Sequence, residues 1–344
     1  MSPRAGTALA YWATAPGEGE LREETLREPG PDEALVRTAT SGVSRGTELL
    51  VRRGGVPDSQ VDRMRAPFQD GSFPFPVKYG YLSVGVVEQG PQDWLGARVF
   101  CLHPHQDRYV VPVDALTRVP DGVPSRRAVL AGPTETALNA LWDAPPCAGD
   151  RVAVVGAGLI GGALALLLRR FPLGRLQVVE TDPARRAQLA DAGLDAVSPT
   201  EAAPDCDLVY HASASEPGLA LALTLAGDDA EVVELSWYGD PAPQVPLGED
   251  FHSRRLRLVA SQVSRVGAAR RHRRDPADRL RTALDLLSDP AFDVLVAGER
   301  PFQDIAAALE ELDSLAPQGG CLVLTYADTQ VDDTGAGACR PDHP

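Results

Sequence analysis

The chain has 344 residues, a formal net charge of −15 and a hydrophobic content of 44%. That length suits two domains, and the hydrophobic content can fill two cores. The negative charge argues against nucleic acid or an anionic membrane as a partner, because both repel an acidic surface. No apolar run approaches the roughly 20 residues that span a bilayer, and no signal pattern opens the chain, so we expect a cytoplasmic protein.

The five cysteines are scattered and form no C-x-x-C pair: Cys101, Cys147, Cys206, Cys321 and Cys339. Such spacing is typical of reduced, individually packed thiols. We therefore expect neither a disulfide framework nor a structural zinc site.

The first 120 residues are predicted to form an irregular, mostly β domain. Apolar alternation between turn residues predicts strands at 34–40, 84–88, 98–101 and 108–111. Residues 51–76 are polar, proline-rich and aperiodic, which predicts a loop that lines a pocket.

Beyond residue 120, strands and helices are predicted to alternate. A helix is expected at 125–141, followed by the strands 151–155, 176–180, 207–211, 231–236 and 256–261, with helices at 183–192 and 218–225 among them. This alternation predicts a parallel, doubly wound sheet. The remaining predictions are helices at 276–287 and 303–315, strands at 292–296 and 321–326, and a disordered tail.

The most specific motif is a G-x-G-x-x-G sequence at Gly156, Gly158 and Gly161, which follows an apolar strand and opens a helix. A second strand then ends in Glu180. This is the dinucleotide-binding fingerprint in the context that supports it. Gly156 permits a tight turn, Gly158 lets the backbone approach a pyrophosphate, and Gly161 lets the helix pack closely on the strand.

Glu180 is expected to bind the adenosine ribose and to disfavour a 2′-phosphate, which predicts NAD rather than NADP. Arg185 and Arg186 lie close enough to keep NADP as an alternative. Other cofactor contacts are expected beside the glycines and the acid, and at the carboxyl ends of later strands, where ligands of such sheets bind. These candidates are Leu159, Ile160, Thr181, Arg185, Ser213, Ala214, Ser236 and Trp237.

Several segments carry a resemblance to the medium-chain dehydrogenases/reductases over residues 20–328. They include Ser41-Gly-Val-Ser-Arg-Gly-Thr-Glu48, Tyr79-Gly-Tyr-Leu-Ser-Val-Gly85 and Ala137-Leu-Asn-Ala-Leu141. The first is similar to the matching segment of the bacteriochlorophyllide a dehydrogenase branch, which oxidises a secondary alcohol on a large ring to a ketone.

The resemblance implies an α/β fold with a mostly β, GroES-like catalytic domain and a Rossmann domain with a doubly wound parallel sheet. The implied limits are 1–120 for the GroES-like domain, 121–265 for the NAD-binding domain, 266–328 for a return segment and 329–344 for a disordered tail. A homodimer is implied as well.

The family's zinc-ligand positions depart from the pattern of its zinc-dependent members. By resemblance they fall on Ser44 or Arg45, on Tyr81 and on Gly132. A catalytic zinc needs about three N, S or O protein ligands around an open position. The resemblance therefore implies a zinc-independent, NAD-linked enzyme that interconverts a small-molecule secondary alcohol and a ketone.

Without zinc, another group must handle the proton at the substrate oxygen. Tyr81 is the main candidate, and Lys78, the only lysine, is the predicted ammonium that would lower the pKa of its phenol. His103 and His105 flank Pro104 and should point to opposite faces, so at most one is expected to face the substrate.

Ser44, Glu48 and Glu135 complete the catalytic candidates, although Glu48 could equally bond backbone N–H groups. Thr136 is expected to contact the cofactor from the helix that opens near Thr134. Two alternative functions stay open at this point. One is an enoyl or quinone reductase of the same fold, and the other is a non-catalytic dinucleotide-binding sensor.

Overall fold

The computed structural model describes residues 6–314 and 319–327. The first 143 residues contain the elements β1 (Thr7–Ala15), β2 (Glu18–Thr25), β3 (Glu33–Val43), α1 (Arg45–Arg52), β4 (Asp70–Gly71), β5 (Val77–Lys78), β6 (Ser83–Gln89), β7 (Arg98–Cys101), β8 (Arg108–Pro112), β9 (Thr117–Arg118), α2 (Ser125–Ala128) and α3 (Ala131–Asp143). The next part contains β10 (Arg151–Val155), α4 (Leu159–Leu168), β11 (Arg175–Val179), α5 (Pro183–Asp191), β12 (Ala196–Val197), β13 (Cys206–His211), α6 (Glu216–Leu225), β14 (Ala226–Glu234), α7 (Asp250–Ser253) and β15 (Arg257–Ala260). The last part contains α8 (Pro276–Leu286), β16 (Val296–Pro301), α9 (Ile305–Ser314) and β17 (Cys321–Thr325).

Strands β10 to β15 form a parallel sheet in the order β12-β11-β10-β13-β14-β15. The central strand β10 is rich in valine and buried from Val152 to Val155, as expected for a strand covered on both faces. Helix α4 is almost wholly apolar and lies in the same core. The predicted doubly wound sheet is confirmed, and its strand order is that of dinucleotide-binding folds.

The other strands form a seven-stranded sheet, in which β16-β17-β3-β6-β7-β9 are neighbours and β8 pairs with β3, and a four-stranded sheet β2-β1-β5-β4. Strand β17 lies antiparallel to β3, with Leu322 opposite Val43 and Thr325 opposite Thr40. This pairing returns residues near the end of the described chain to the first domain. The side chain of Tyr326 thereby reaches the site described below.

The structure differs from the sequence predictions at three places. Residues 292–296 were predicted as a strand, but Pro290–Leu295 is a 3-10 helix and β16 begins at Val296. The reason is local, because the Asp289 side chain accepts a hydrogen bond from the Ala291 N–H and Pro290 occupies the first helical position. The predicted helix at 125–141 is divided into α2 and α3, and α1 ends at Arg52 inside the predicted loop.

Four cysteines lie in the described residues, and all four are free thiols: Cys101, Cys147, Cys206 and Cys321. Within residues 6–314 and 319–327, no helix combines the length and apolar character needed to cross a membrane. Cys339 and the predicted tail at 329–344 lie outside the described residues.

Candidate active site

The glycine-rich turn between β10 and α4 has the geometry that each glycine was predicted to provide. Gly156 has φ +94°, and a Cβ there would come within 2.7 Å of the Ser213 backbone. A Cβ at Gly161 would overlap the carbonyl oxygen of Gly156, whereas one at Gly158 would meet nothing within 4 Å. The turn is therefore packed tightly on the protein side and open at Gly158, as a pyrophosphate site requires.

Glu180 lies directly beside this turn. Its Oε2 accepts a hydrogen bond from the Ala157 N–H at 3.0 Å, and its Oε1 accepts one from the Asp182 N–H at 2.9 Å and one from the Thr181 hydroxyl at 3.1 Å. Leu159 and Ile160 follow Gly158 at the start of α4, and both are partly exposed. The fingerprint residues and Glu180 are thus brought together at one edge of the sheet.

Arg185 does not lie where a cofactor phosphate could reach it. Its side chain is buried, and its guanidinium donates to the carbonyl oxygens of Ala157 at 3.1 Å and Val294 at 2.9 Å. The predicted cofactor contact is corrected here: Arg185 supports the glycine-rich turn from inside the protein. Arg186 is the accessible arginine, and its guanidinium donates to the carbonyl oxygens of Glu180 and Thr181, both at 2.8 Å.

The segments that follow β13 and β14 meet at the same edge. Ala214 has φ +50°, and its N–H donates to the Ser236 hydroxyl at 3.0 Å. Ser213 lies against Gly156. Trp237 packs on an apolar group that we call the aromatic cluster, whose members are Ala13, Val51, Val56, Phe73, Val77 and Tyr79, with Val61, Ala66, Phe75, Tyr81 and Trp237 packed around them.

Tyr81 lies between this aromatic cluster and a second buried core, which extends from Val84 of β6 to Val154 of β10, because it packs against both. Its ring meets that of Tyr79 edge to face, with centroids 5.9 Å apart. Burial raises the pKa of Tyr81 to about 12, the charge of Glu48 adds to the shift, and hydrogen bonding to Ser44 and Thr47 opposes it. The phenol therefore keeps its proton at neutral pH.

Lys78 does not pair with Tyr81, so the predicted ammonium beside the phenol is corrected. Its Nζ donates to Glu24 Oε2 at 2.6 Å and to Gln106 Oε1 at 3.1 Å. The nitrogen also lies 5.8 Å from the ring centroid of Trp12. Strand β5 pairs with β1, which pairs with β2, so Lys78 meets Glu24 of β2 within one four-stranded sheet.

A buried hydrogen-bonded chain adjoins Tyr81 instead. His105 Nε2 lies 2.8 Å from Glu48 Oε2, and His105 Nδ1 lies 2.7 Å from Ser41 Oγ. Ser41 Oγ is in turn 2.9 Å from the Tyr326 hydroxyl. The second oxygen of Glu48 accepts the Ser44 N–H at 2.7 Å, so Glu48 has the backbone role that was considered for it as well as a histidine partner.

His103 and His105 occupy different environments, as the alternation of side chains predicted. The His103 ring stacks on Tyr109 with centroids 3.7 Å apart and on Phe68 at 5.7 Å. Burial lowers the pKa of His103 to about 3, although its hydrogen bond to the Pro104 carbonyl oxygen opposes that shift. His103 is thus a packing residue that stays neutral, and only His105 joins the polar chain.

The buried neutral His103 should make the protein sensitive to acid. An unfolded histidine titrates near 6.5, whereas the folded one titrates near 3. Because the unfolded state binds the extra proton, the stabilisation is complete above about pH 7 and decreases as pH falls towards 3. We expect the free energy of unfolding to lose about 1 kcal/mol per pH unit below about pH 6 from this residue. Urea unfolding of wild type and His103→Phe from pH 7 to pH 5 measures it, and equal slopes would contradict this assignment.

Glu135 and Thr136 lie one helical turn beyond Gly132 on α3. Glu135 is buried and its Oε1 accepts Arg279 Nε at 2.9 Å, so the predicted catalytic role is corrected to an ion pair that joins α3 to α8. Burial raises the pKa of Glu135 and the Arg279 charge opposes the rise. Thr136 is partly exposed, and its hydroxyl donates to the Gly132 carbonyl oxygen at 3.0 Å.

The positions that the resemblance assigns to zinc ligands come together here without a ligand set. A Cβ at Gly132 would lie 3.8 Å from the Tyr81 ring, and the Tyr81 phenol is hydrogen-bonded to Ser44. Gly132 has no side chain, and the other two residues offer hydroxyl groups. Over residues 6–314 and 319–327, no three or more His, Cys, Asp or Glu side chains are grouped to hold a metal ion. These residues do not fit a catalytic zinc.

Solved structures with the same architecture define the class of the fold. Acetophenone reductase from Geotrichum candidum, in complex with NAD, has a TM-score of 0.74 and 18% identity, covering 94% of this chain and 98% of that chain. A protein described as a zinc-binding dehydrogenase from Sinorhizobium meliloti, bound to NADP, has a TM-score of 0.74 and 18% identity, covering 93% and 99%. The chain has the fold of the medium-chain dehydrogenases/reductases, with GroES-like and Rossmann domains.

A sequence relative narrows the class. The chain is 28% identical over 270 residues to 2-desacetyl-2-hydroxyethyl bacteriochlorophyllide A dehydrogenase of Cereibacter sphaeroides, covering 72% of this chain and 79% of that protein. No protein-family model matches the chain. The resemblance predicted from the sequence is confirmed, and the chain is an oxidoreductase of the alcohol-dehydrogenase type.

Sequence reasoning missed Ser41, which is hydrogen-bonded to His105, and Tyr326, which is hydrogen-bonded to Ser41. Ser41 stands in a segment that carries the family resemblance, but Tyr326 is 285 positions away and only the pairing of β17 with β3 brings it near. Gly80 was an available signal, because it directly precedes Tyr81. Its lack of a Cβ leaves room for the His105 ring, which would lie 2.8 Å from that atom. A glycine beside a candidate catalytic residue often marks such a close approach.

Proposed function

We propose that the protein is a zinc-independent, NAD-linked oxidoreductase that interconverts a secondary alcohol and a ketone. The observation that carries the proposal is the Tyr81 phenol, which stays protonated between the aromatic cluster and the second buried core, beside the positions that the resemblance assigns to zinc ligands. In zinc-dependent enzymes, the metal polarises the carbonyl group of the substrate. Here a hydrogen-bond donor occupies that place instead.

Tyr81 supplies the proton step in this mechanism. When bound, NADH supplies the hydride that reduces the carbonyl carbon. The Tyr81 hydroxyl donates a hydrogen bond to the carbonyl oxygen and then its proton to the developing alkoxide, which is far more basic than a phenolate even at a pKa of about 12. Ser44 and Thr47, which hydrogen-bond the phenol, stabilise the phenolate that remains. The negative charge of Glu48 destabilises that phenolate and thus favours return of a proton to Tyr81.

The chain offers an apolar surface for the body of the substrate. Val56 and Phe73, from the segment predicted to line the pocket, are buried members of the aromatic cluster, and its partly exposed members, among them Phe75, Tyr81 and Trp237, provide this surface. Apolar walls with a single polar donor are typical of small-molecule sites. The names of acetophenone reductase and the bacteriochlorophyllide dehydrogenase also point to ring-bearing substrates, which such walls suit.

The experiment that tests the reaction is turnover with NADH over a panel of aryl ketones, aliphatic ketones, enones and quinones, and with NAD over the matching alcohols. Reduction of a ketone and oxidation of its alcohol by the same preparation support the proposal. Turnover confined to the enones and quinones would instead establish reduction of an activated C=C bond. Tight NADH binding without turnover on any compound would favour the non-catalytic sensor.

Glu180 should make the protein prefer NADH to NADPH. Its carboxylate lies at the turn, and the buried Arg185 cannot reach a 2′-phosphate. We expect Glu180→Gln to lower the ratio of the NADPH dissociation constant to the NADH dissociation constant by about tenfold. The substitution removes the repulsion between the Glu180 carboxylate and the 2′-phosphate. Titration of both dinucleotides into wild type and variant measures it. Tighter NADPH binding by the wild type would contradict the proposal and would make Arg186 the phosphate-binding residue.

A homodimer in the cytoplasm completes the proposal. Strand β15 is an edge strand of the parallel sheet, and Leu258 on it has 37% of its surface exposed. An edge strand with an exposed leucine favours pairing with a second copy.

A further inference from the structure

A closed ring of hydrogen bonds joins the ends of β13 and β14, and the reaction described above does not use it. His211 is the last residue of β13, and its Nδ1 lies 2.7 Å from Oε2 of Glu234, the last residue of β14. Glu234 Oε1 accepts the Ser236 N–H at 2.7 Å, and the Ser236 hydroxyl accepts the Ala214 N–H at 3.0 Å. The ring therefore connects the segment after β13 to the segment after β14.

The second nitrogen of His211 extends the ring to two serines. His211 Nε2 lies 2.6 Å from Ser213 Oγ, which lies 2.8 Å from Ser215 Oγ. The Ser215 hydroxyl accepts the Gly218 N–H at 3.2 Å and so caps α6. A Cβ at residue 218 would come within 2.9 Å of His211 Nε2, so glycine leaves the room that this packing needs.

Burial and charge make this ring rigid. The His211 side chain is fully buried, and that of Glu234 is 16% exposed. Burial alone would raise the pKa of Glu234. The hydrogen bond and charge of His211, together with the hydrogen bonds from Ser236, instead hold that pKa below its usual value. A charged acceptor forms stronger hydrogen bonds than a neutral one. The ring also holds Ala214 at φ +50°, a conformation that a residue with a Cβ rarely adopts.

The ring lies where one half of a bound dinucleotide is expected. In this strand order each half of the sheet binds one mononucleotide, with the pyrophosphate at the glycine-rich turn between them. Glu180 follows β11 on the adenosine side, whereas β13, β14 and β15 form the opposite half. Ser213 lies against Gly156, so the ring borders the turn from the side opposite to Glu180.

We propose that His211 and Glu234 are positioning residues that hold segments 213–215 and 236–238 in place to bind the nicotinamide half of the cofactor. This inference rests on the proposed nicotinamide-cofactor function. The two residues act through Ser213, Ala214 and Ser236 rather than by contact with the reacting atoms. Their loss should therefore weaken binding of the nicotinamide half and leave the adenosine half bound as before.

The test compares NADH with AMP, which carries only the adenosine half, by calorimetric titration of the full chain. For Glu234→Gln we expect the NADH dissociation constant to rise about tenfold while that for AMP changes less than about twofold. Glu231→Gln is the matched control, because Glu231 lies on the same strand with its partner Arg257 away from the ring, and its NADH affinity should equal that of wild type. Unchanged NADH affinity in Glu234→Gln, or an equal loss for AMP, would overturn the proposal.

A second variant tests whether the ring acts as a unit. His211→Gln should produce the same selective loss, and the double variant should lose no more than either single one, because groups in one network are not additive. Additive losses would overturn the idea of a single ring, and if His211→Gln does not fold, Glu234→Gln alone decides. Failure of the wild type to bind NADH at all would instead refute the cofactor function on which the inference rests.

Discussion

Replacing Tyr81 by phenylalanine should lower kcat/KM for ketone reduction by about 100-fold or more, since general acid catalysis typically contributes 10²–10⁴-fold. The change removes one hydroxyl and keeps the ring between the aromatic cluster and the second buried core. NADH affinity should stay within about twofold of wild type, because no cofactor-binding group is altered. Steady-state kinetics with the best ketone of the panel, and an NADH titration, measure both quantities.

Tyr79→Phe is the matched control for this result. It likewise removes one phenolic hydroxyl, but from Tyr79, whose ring meets that of Tyr81 edge to face. We expect its kcat/KM to stay near wild type. If both variants lose activity equally, or if Tyr81→Phe keeps full activity, Tyr81 is not the proton donor.

The raised pKa of Tyr81 should also determine how the rate of each direction of the reaction depends on pH. Ketone reduction needs the phenol, which is present up to a pH of about 12, whereas alcohol oxidation needs the phenolate. Alcohol oxidation should therefore accelerate about tenfold per pH unit between roughly pH 7 and pH 10, with reduction nearly constant over the same range. In Tyr81→Phe both rates should be much lower, but their ratio should still change about tenfold per pH unit, because oxidation of the alcohol by NAD releases one proton.

Alanine substitution of two glycines in the turn should separate cofactor binding from folding. At Gly158, where φ is −63° and a Cβ meets nothing within 4 Å, alanine should leave the unfolding midpoint unchanged but weaken NADH by at least about tenfold, because the methyl group occupies the pyrophosphate site. At Gly161, a Cβ would overlap the Gly156 carbonyl oxygen, so alanine should destabilise the fold by roughly 3 kcal/mol.

Thermal unfolding and NADH titration of both variants distinguish the two effects. Gly122 provides a control, because a Cβ there also meets nothing within 4 Å and the residue lies outside the turn. Gly122→Ala should therefore match wild type in both measurements. Normal NADH binding by Gly158→Ala would contradict the placement of the pyrophosphate.

The dinucleotide-binding part of the fold could be predicted from the sequence because its signals are local. Each fingerprint glycine has a steric reason that lies within one strand, one turn and one helix. The valine run of β10 and the apolar α4 also have the composition of buried elements. Local periodicity is enough to identify such elements.

The catalytic half was harder to predict because its contacts connect distant parts of the chain. Lys78 was assigned to Tyr81 from a separation of three residues, but its partner is Glu24, 54 positions away on β2. The sequence predicted a catalytic role for Glu135, but in the structure it pairs with the buried Arg279 on α8, 144 positions away. A charged residue that becomes buried is paired in the fold, and the sequence does not say with which partner.

His103 and His105 show both what the sequence could predict and what it could not. The alternation of side chains along an extended segment predicted that the two rings point to different environments, and in the loop between β7 and β8 they do. It could not predict which ring would stack on Tyr109 and which would bind Glu48, because both partners lie on other elements. Of the residues named here, Tyr81 is the one whose role can be tested with the least ambiguity.

The measurement that most directly tests the central claim is metal content and turnover determined on one sample before and after dialysis against a strong chelator. The account predicts less than about 0.1 zinc per chain and unchanged ketone reduction with NADH after chelation, because the converging residues do not form a zinc ligand set. One zinc per chain, with activity that disappears on chelation and returns when zinc is added, would contradict it.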